Sequence, residues 1–316
     1  MIKNISHKII LIGLLLQLVT NTTNTKLTIE TLAKNLFKDN NVNKVQLSNN
    51  SISELSPFQF TSIPNNTHIY LQQNDITYIP RDVFTNNERI YYISLASNEI
   101  SNMERFAFAL MPLLTLLNLS SNKITAIDKD WFTGSRNIRD LYLENNLIRE
   151  INKDAFSEIH NLKVINLSFN RIYTIKPGSF DGVKSMVGLS GNFLADLSFI
   201  NSTKLDWISV SFNKINHLDL NYITEIKAIY AMPNPLYCKS LINFLRGAPK
   251  RGIRVVHPRI WNPSCPICIK EGVYADDVVN NIYYKMIETE FDFKYFKQEL
   301  SWLKNVRQIN YSYFNY

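Results

Sequence analysis

The fold is indicated by one stretch, from Leu114 to Phe132, which reads LTLLNLSSNKITAIDKDWF. Its first half alternates apolar and polar side chains, with Leu117 and Leu119 separated by a polar neighbour, and this is the period of a β-strand with one buried face. Asn122 then interrupts the pattern, and apolar residues return before Phe132. The stretch therefore predicts a short strand, a turn at Asn122 and a second, separate apolar segment.

The same stretch recurs along most of the chain. Asparagines within the same apolar frame follow one another at a spacing of 24 residues and, in the last three cases, of 22 or 21 residues. These residues, here called the Asn ladder, are Asn50, Asn74, Asn98, Asn122, Asn146, Asn170, Asn192, Asn213 and Asn234. One such unit cannot bury its apolar face alone, so neighbouring units must stack around a shared core. We predict a right-handed solenoid with one parallel sheet of about nine strands, about 43 Å long.

The residue types of the repeat have structural explanations. The chain must turn inside the core after each strand, where an Asn side chain can bond backbone groups that would otherwise be buried without partners. We therefore interpret the Asn ladder as structural. A column of phenylalanines is predicted to pack as a spine on the convex side and to end near Phe180, because the shorter repeats lack it. The column contains Phe60, Phe84, Phe108, Phe132, Phe156 and Phe180.

The repeating unit resembles the 24-residue leucine-rich repeat of animal extracellular proteins, L-x-x-L-x-L-x-x-N-x-I-x-x-I-x-x-x-x-F. The resemblance covers residues 42–236, or about nine repeats. It implies an α/β leucine-rich-repeat solenoid with a curved parallel sheet on the concave face and short segments on the convex face. It also implies a binding function without enzymatic activity.

The N-terminal region has the composition of an export signal. Lys3 and Lys8 precede an apolar run from Ile9 to Val19, which is too short to span a bilayer as a helix. We expect residues 1–25 to be a signal peptide and the protein to be secreted and extracellular, without a membrane span. Residues 26–41 fit one face of a short helix and are expected to cap the repeats.

A cysteine-containing segment, residues 237–270, follows the repeats. Its beginning resembles the C-terminal cap of leucine-rich-repeat proteins, and its cysteines are Cys238, Cys265 and Cys268. Three cysteines cannot all pair within one secreted chain, so we predict one bridge that closes the cap and one remaining thiol, Cys268 or alternatively Cys265. Residues 239–270, here called the basic segment, hold seven basic residues and no acidic one.

The last part of the sequence changes to a heptad pattern. Residues 276–310 have apolar side chains at most a and d positions, which predicts an amphipathic helix that either forms a short coiled coil or folds back onto the solenoid. Signal peptide, repeats, cysteine cap and coiled coil together resemble the mosquito leucine-rich immune proteins. This resemblance implies a disulfide-linked homo- or heterodimer, a complement-like protein partner and a role in innate immunity.

The sequence contains no recognisable catalytic motif. It lacks G-x-S-x-G, H-E-x-x-H and phosphate-loop patterns, and His68, His160 and His217 are scattered among the repeats and interpreted as solvated. Cys265 and Cys268 form a C-x-x-C pair, but without the βαβ context of a redox site or enough further ligands for zinc. We therefore expect no enzymatic activity, no metal site, no cofactor and no nucleic-acid partner.

The outward side chains of the predicted strands define the candidate binding surface. Tyr and Trp are enriched among the residues that dominate protein interfaces, and we assign ligand binding on the concave face to Tyr70, Tyr92, Tyr142, Trp207 and Tyr230. Predicted glycosylation sites are Asn49, Asn65, Asn118, Asn166 and Asn201. The leading hypothesis is a secreted protein-binding module of innate immunity. The alternative is a binder of anionic surfaces, such as microbial glycans, through the basic segment.

Overall fold

The computed structural model describes residues 44–57, 60, 67–84, 87–200, 205–223, 225–232 and 234–256. The predicted signal peptide, the N-terminal cap helix and the amphipathic helix at 276–310 lie outside the described residues. The same holds for Asn65, Asn201, Cys265 and Cys268. Within the described part, no helix is long and apolar enough to cross a membrane.

Most of the regular structure consists of short parallel strands. In chain order the elements are β1 Lys44–Gln46, β2 Thr67–Tyr70, β3 Tyr78–Ile79, β4 Ile90–Ser94, β5 Asn102–Met103, β6 Leu116–Asn118, β7 Asp140–Tyr142, β8 Glu150–Ile151, β9 Val164–Asn166, β10 Thr174–Ile175, β11 Met186–Gly188, β12 Leu205–Ser209, β13 Ile226–Tyr230, α1 Cys238–Gly247 and β14 Arg254–Val255. One ten-stranded sheet has the order β1-β2-β4-β6-β7-β9-β11-β12-β13-β14. Two small parallel sheets, β3 with β5 and β8 with β10, lie outside it.

The large sheet confirms the predicted solenoid and adds one strand to it. Equivalent residues of consecutive repeats pair directly, as Leu117 does with Leu141 and Leu141 with Ile165. All three are fully buried, because every second residue of each strand faces the shared core. The nine strands expected from the repeats are all present. The tenth, β14, comes from the basic segment and pairs with β13.

The Asn ladder joins each turn of the solenoid to the one before it. Asn98 Nδ2 donates to the carbonyl oxygens of Leu71 and Leu95, both at 3.0 Å, and Asn98 Oδ1 accepts from the backbone N of Ile76 at 3.1 Å. The equivalent contacts recur at Asn74, Asn122, Asn146, Asn170, Asn192, Asn213 and Asn234. The ladder is structural, as the sequence predicts.

The residue that precedes a ladder Asn turns the chain through the left-handed region. Gln73 and Ser97 have φ angles of 57° and 54°, and even Phe169 and Phe212 adopt 55° and 56°. Bulky residues rarely occupy this region, so the stacking of repeats outweighs local preference. Gly191 suits its position for a second reason, since a Cβ there would lie 2.6 Å from the Phe169 ring.

The phenylalanine spine extends further than the sequence predicts. Stacked pairs are Phe60–Phe84 at 5.2 Å, Phe84–Phe108 at 5.6 Å and Phe156–Phe180 at 5.9 Å between ring centroids. Phe199, in a 3-10 turn at Ser198–Ile200, then packs edge-on against Phe180 at 6.2 Å. The expected end at Phe180 was wrong, because the shortened repeat brings Phe199 to the spine seven residues after Asn192 instead of ten.

Helix α1 covers the C-terminal end of the solenoid. Leu241 and Phe244, three residues apart on one face of the helix, are buried. A 3-10 turn at Pro249–Arg251 follows, and Gly252, at φ 74°, turns the chain toward β14. Ile253 is buried directly before β14. The predicted cap segment therefore begins as a helix and extends the sheet with its own strand.

Candidate functional site

Two rows of outward side chains run along the large sheet because its strands pair in constant register. The first row contains Lys44, His68, Tyr92, Leu116, Asp140, Val164, Met186, Trp207, Ala228 and Arg254. The second row contains Gln46, Tyr70, Ser94, Asn118, Tyr142, Asn166, Gly188, Ser209 and Tyr230. The five aromatic residues assigned to ligand binding belong to these rows, and the register decides which of them meet.

The N-terminal third of the rows holds an aromatic cluster. The ring centroids of Tyr70 and Tyr92 lie 5.1 Å apart, and His68 lies 6.5 Å from Tyr70 and 5.8 Å from Tyr92. His68 and Tyr92 are half-buried, whereas Tyr70 is only 8% exposed beneath them. We call these three residues the N-terminal aromatic cluster.

The C-terminal end of the rows holds a second aromatic group. The rings of Trp207 and Tyr230 stack at 5.9 Å with an interplanar angle of 28°. The guanidinium carbon of Arg254 lies over Trp207, 4.5 Å from its ring centroid. Trp207 and Tyr230 are half-buried and Arg254 is exposed. These three residues are called the C-terminal stack.

The middle of the second row is mostly polar. Asn118, Tyr142 and Asn166 are direct neighbours in the second row, so Tyr142 lies between two predicted glycosylation sites. Gly188 comes next, and a Cβ there would lie only 2.7 Å from Asn166 Oδ1. In the second row Tyr142 lies three strands from Tyr70 and four strands from Tyr230. The other four assigned residues form two pairs, Tyr70 with Tyr92 and Trp207 with Tyr230.

The repeat pattern is matched by the family described as Leucine rich repeat, at residues 40–100, 88–148 and 136–194. The solenoid is a leucine-rich-repeat domain. The matched ranges overlap and together cover the strands from β1 to β11, whose parallel pairing follows the same period.

Solved structures share the fold of this leucine-rich-repeat domain at low sequence identity. The chain is similar to mouse RP105 in a complex with MD-1, with a TM-score of 0.63 and 21% identity over 77% of this chain and 42% of that one. It is also similar to TLR13 in a complex with ssRNA13, with a TM-score of 0.58 and 22% identity over 66% of this chain. The match spans 30% of the TLR13 chain, so most of that protein has no counterpart here.

A third solved structure is more nearly matched in length. The leucine-rich repeat domain of APL1B has a TM-score of 0.52 and 18% identity, over 68% of this chain and 69% of that chain. No curated protein matches the sequence at a significant level. At these identities the similarities establish the leucine-rich-repeat fold.

A buried acid stands beside the second row of the leucine-rich-repeat domain. Glu144 follows Tyr142 by two residues on the same face, is 7% exposed, and its Oε2 atom is buried without a hydrogen-bond partner in the described structure. Loss of solvent raises the pKa of Glu144 from its ordinary 4.5 to about 7, although its own backbone N–H lowers it somewhat. The carboxyl therefore changes charge near neutral pH.

The predicted glycosylation sites differ in their surroundings. Asn49 is exposed in a turn with φ 58°. Asn118 and Asn166 are half-buried, and Asn118 Oδ1 accepts from the backbone N and Oγ of Ser120 at 2.9 and 2.7 Å. Both sites face the concave side, whereas Asn49 lies in the turn after β1.

Sequence reasoning missed two members of the aromatic groups. His68 was interpreted as solvated, but it is half-buried against two tyrosines, because its strand position places it beside Tyr92. Arg254 was noted only as part of the basic segment. The sequence signal for its strand, β14, is weak: it consists only of the apolar residues on either side of Arg254, buried Ile253 and half-buried Val255. Among the described residues, no group of three or more His, Cys, Asp or Glu side chains could hold a metal ion.

Proposed function

We propose that this protein is a secreted protein-binding module that holds its partner on the concave face of the leucine-rich-repeat domain. The observation that supports this proposal is the pairing of aromatic groups at the two ends of that face. Half-buried Tyr92 and Trp207 present large, rigid side chains, which typically contribute most to binding energy. Such side chains suit the interface with a protein partner.

A solved complex supports the binding of a protein partner, and the sequence resemblance supports an immune context for this proposal. RP105 is solved with MD-1, and APL1B provides a leucine-rich repeat domain of similar length. The sequence itself resembles the mosquito leucine-rich immune proteins in its predicted signal peptide, repeats, cysteine cap and coiled coil. By this analogy the partner is a complement-like protein, and the protein acts as a disulfide-linked homo- or heterodimer in innate-immune recognition.

Capture of a partner from the extracellular fluid tests the proposal. Tagged wild-type protein is compared with Tyr92→Ala and Trp207→Ala, and we expect each substitution to reduce recovery of the partner at least tenfold. Tyr173→Ala is the control, because Tyr173 is 57% exposed and lies beside β10, outside the large sheet. Equal recovery by all four proteins would exclude the concave face as the binding site.

A second candidate function rests on the charge of the C-terminal cap. Lys239, Arg246, Lys250, Arg251 and Arg254 are all exposed, and no acidic residue lies among them. Such a surface fits anionic glycans of microbes. A salt titration separates the two functions, because capture through this surface weakens steeply between 50 and 300 mM salt, on the order of tenfold, while an aromatic interface changes little.

A further inference from the structure

The contact between Trp207 and Arg254 in the C-terminal stack depends on a small residue that lies between them. Trp207 pairs with Ala228 in the first row, and Ala228 pairs with Arg254. Ala228 is 2% exposed and has no side chain beyond Cβ, so the longer Arg254 side chain can cross over it. The guanidinium consequently lies over Trp207, 4.5 Å from the ring centroid, although the two residues are two strands apart.

Stacking orients the guanidinium without using its hydrogen-bond donors. The N–H groups of a guanidinium lie at the edge of its plane, so a guanidinium that packs with its face against an aromatic ring keeps them available. No carboxylate of the described residues forms an ion pair with Arg254, and Asp206, which directly precedes Trp207 in the sequence, is bonded to Lys227 at 2.6 Å. The side chain is therefore ordered, exposed and positively charged, and its donors suit a planar anion.

A hydroxyl group follows Trp207 on the same face of the sheet. Ser209 follows Trp207 by two residues on β12, and its Oγ is hydrogen-bonded to Ser190 Oγ at 2.5 Å. Ser209 is half-buried and stands between Gly188 and Tyr230 in the second row. A ligand group that binds next to Trp207 would thus face the small residues Gly188 and Ser209 as well as the guanidinium of Arg254.

The arrangement favours a carboxylate over a sugar ring. A sugar that stacks on Trp207 needs an open ring face, but Arg254 lies over Trp207 and Tyr230 stacks with it. A carboxylate needs only the edge of the guanidinium, which it can contact with both oxygens. We propose that Arg254, with Trp207 and Ser209, forms a subsite for an Asp or Glu side chain of the protein partner. This inference rests on the proposed function and adds the chemistry of the bound group.

Two labelled hexapeptides test the subsite directly. They differ only in having two Glu or two Gln residues at their centre, and their binding is measured by fluorescence anisotropy at 0.1 M salt. We expect the Glu peptide to bind wild-type protein at least tenfold more tightly than the Gln peptide. Arg254→Gln should abolish this difference, and Arg254→Lys should reduce it, because a point charge replaces the planar fork.

The control removes one neighbouring charge without touching the stack. Lys250 is exposed in the 3-10 turn before β14, and Lys250→Gln should leave the preference for Glu unchanged. Equal affinity for the two peptides overturns the proposal. So does an equal loss in Lys250→Gln and Arg254→Gln, which would indicate diffuse charge. Tighter, Arg254-dependent binding of an oligogalacturonate than of the Glu peptide would overturn the assignment to a protein partner.

The same variants separate this inference from the proposed function. If Arg254→Gln abolishes peptide discrimination while Tyr92→Ala and Trp207→Ala leave partner capture intact, the subsite is present and the concave-face function fails. If partner capture depends on Tyr92 and Trp207 but peptide discrimination is absent, the function holds and the subsite is refuted. Partner capture is therefore scored in parallel with the peptide assay.

Discussion

Asn122 and Ile100 belong to consecutive repeats and are joined by a hydrogen bond of 3.0 Å from the Ile100 backbone N to Asn122 Oδ1. The same side chain donates from Nδ2 to the carbonyl oxygens of Leu95 and Leu119 at 2.9 and 3.1 Å. One buried amide thus satisfies three backbone groups that no water can reach. This is the physical reason for an Asn at this position in every repeat.

Substitution of Asn122 by Ala should destabilise the domain strongly. Three buried backbone groups would lose their partner, at about 1–3 kcal/mol each, so we expect a loss of at least about 3 kcal/mol in the free energy of unfolding. Urea unfolding followed by circular dichroism measures it. Asn137→Ala is the control, because Asn137 is exposed and its hydrogen bonds, to Pro112 O at 2.7 Å and from Asn161 Nδ2 at 2.9 Å, lie at the surface. Similar midpoints for both variants would contradict a structural ladder.

Glu144 should make the stability of the domain depend on pH. Its pKa is raised by burial to about 7, so between pH 4.5 and 7 the folded state binds more protons than the unfolded state. Stability should therefore fall as pH rises through this range and stay lower above it, by up to about 3 kcal/mol. Glu144→Gln should remove this loss and be more stable than wild type at pH 8, with little difference at pH 4.

Thermal unfolding at pH 4, 6 and 8 provides the measurement for Glu144. The matched control is Glu150→Gln, since Glu150 is exposed on β8, and its profile should follow that of the wild type. A Glu144→Gln variant that loses stability with pH as the wild type does would show that the buried carboxyl is not responsible.

Glycans on Asn118 and Asn166 should cover Tyr142. The three residues are adjacent in one row, and neighbouring strands lie only about 4.8 Å apart. Glycopeptide mass spectrometry should find both sites occupied, and Tyr142→Ala should then leave partner capture unchanged. In an Asn118→Gln, Asn166→Gln protein Tyr142 becomes accessible. Unoccupied sites, or a large effect of Tyr142→Ala in the glycosylated protein, would reopen the centre of the face to the ligand.

The three cysteines predict a covalent dimer. Cys238 is the first residue of α1, and one bridge between it and Cys265 or Cys268 leaves one thiol for a second chain. A non-reducing gel of the secreted protein, co-expressed with its natural relatives, should show a band at twice the monomer mass. Cys268→Ser should remove that band. A dimer that survives Cys268→Ser but is lost in Cys265→Ser exchanges the two roles, and a wild-type monomer contradicts the prediction.

The repeating part of this protein was determined by the sequence alone. The spacing of ladder residues such as Asn74 and Asn98, and the alternation around Leu117, predict strands, register and core, because a solenoid makes its contacts between neighbouring repeats of known offset. The rows of the concave face follow from the same period. Even the position of Tyr142 between Asn118 and Asn166 could be read from it.

The tertiary structure decided everything that departs from that period. Phe199 reached the spine from a shortened repeat, and β14 joined the sheet from a segment without a repeat pattern. Arg254 could meet Trp207 only because Ala228 leaves room between them. The charge behaviour of Glu144 likewise depends on the burial of its carboxyl among neighbouring repeats. These features arise from packing between side chains of particular sizes, and no repeat spacing encodes them.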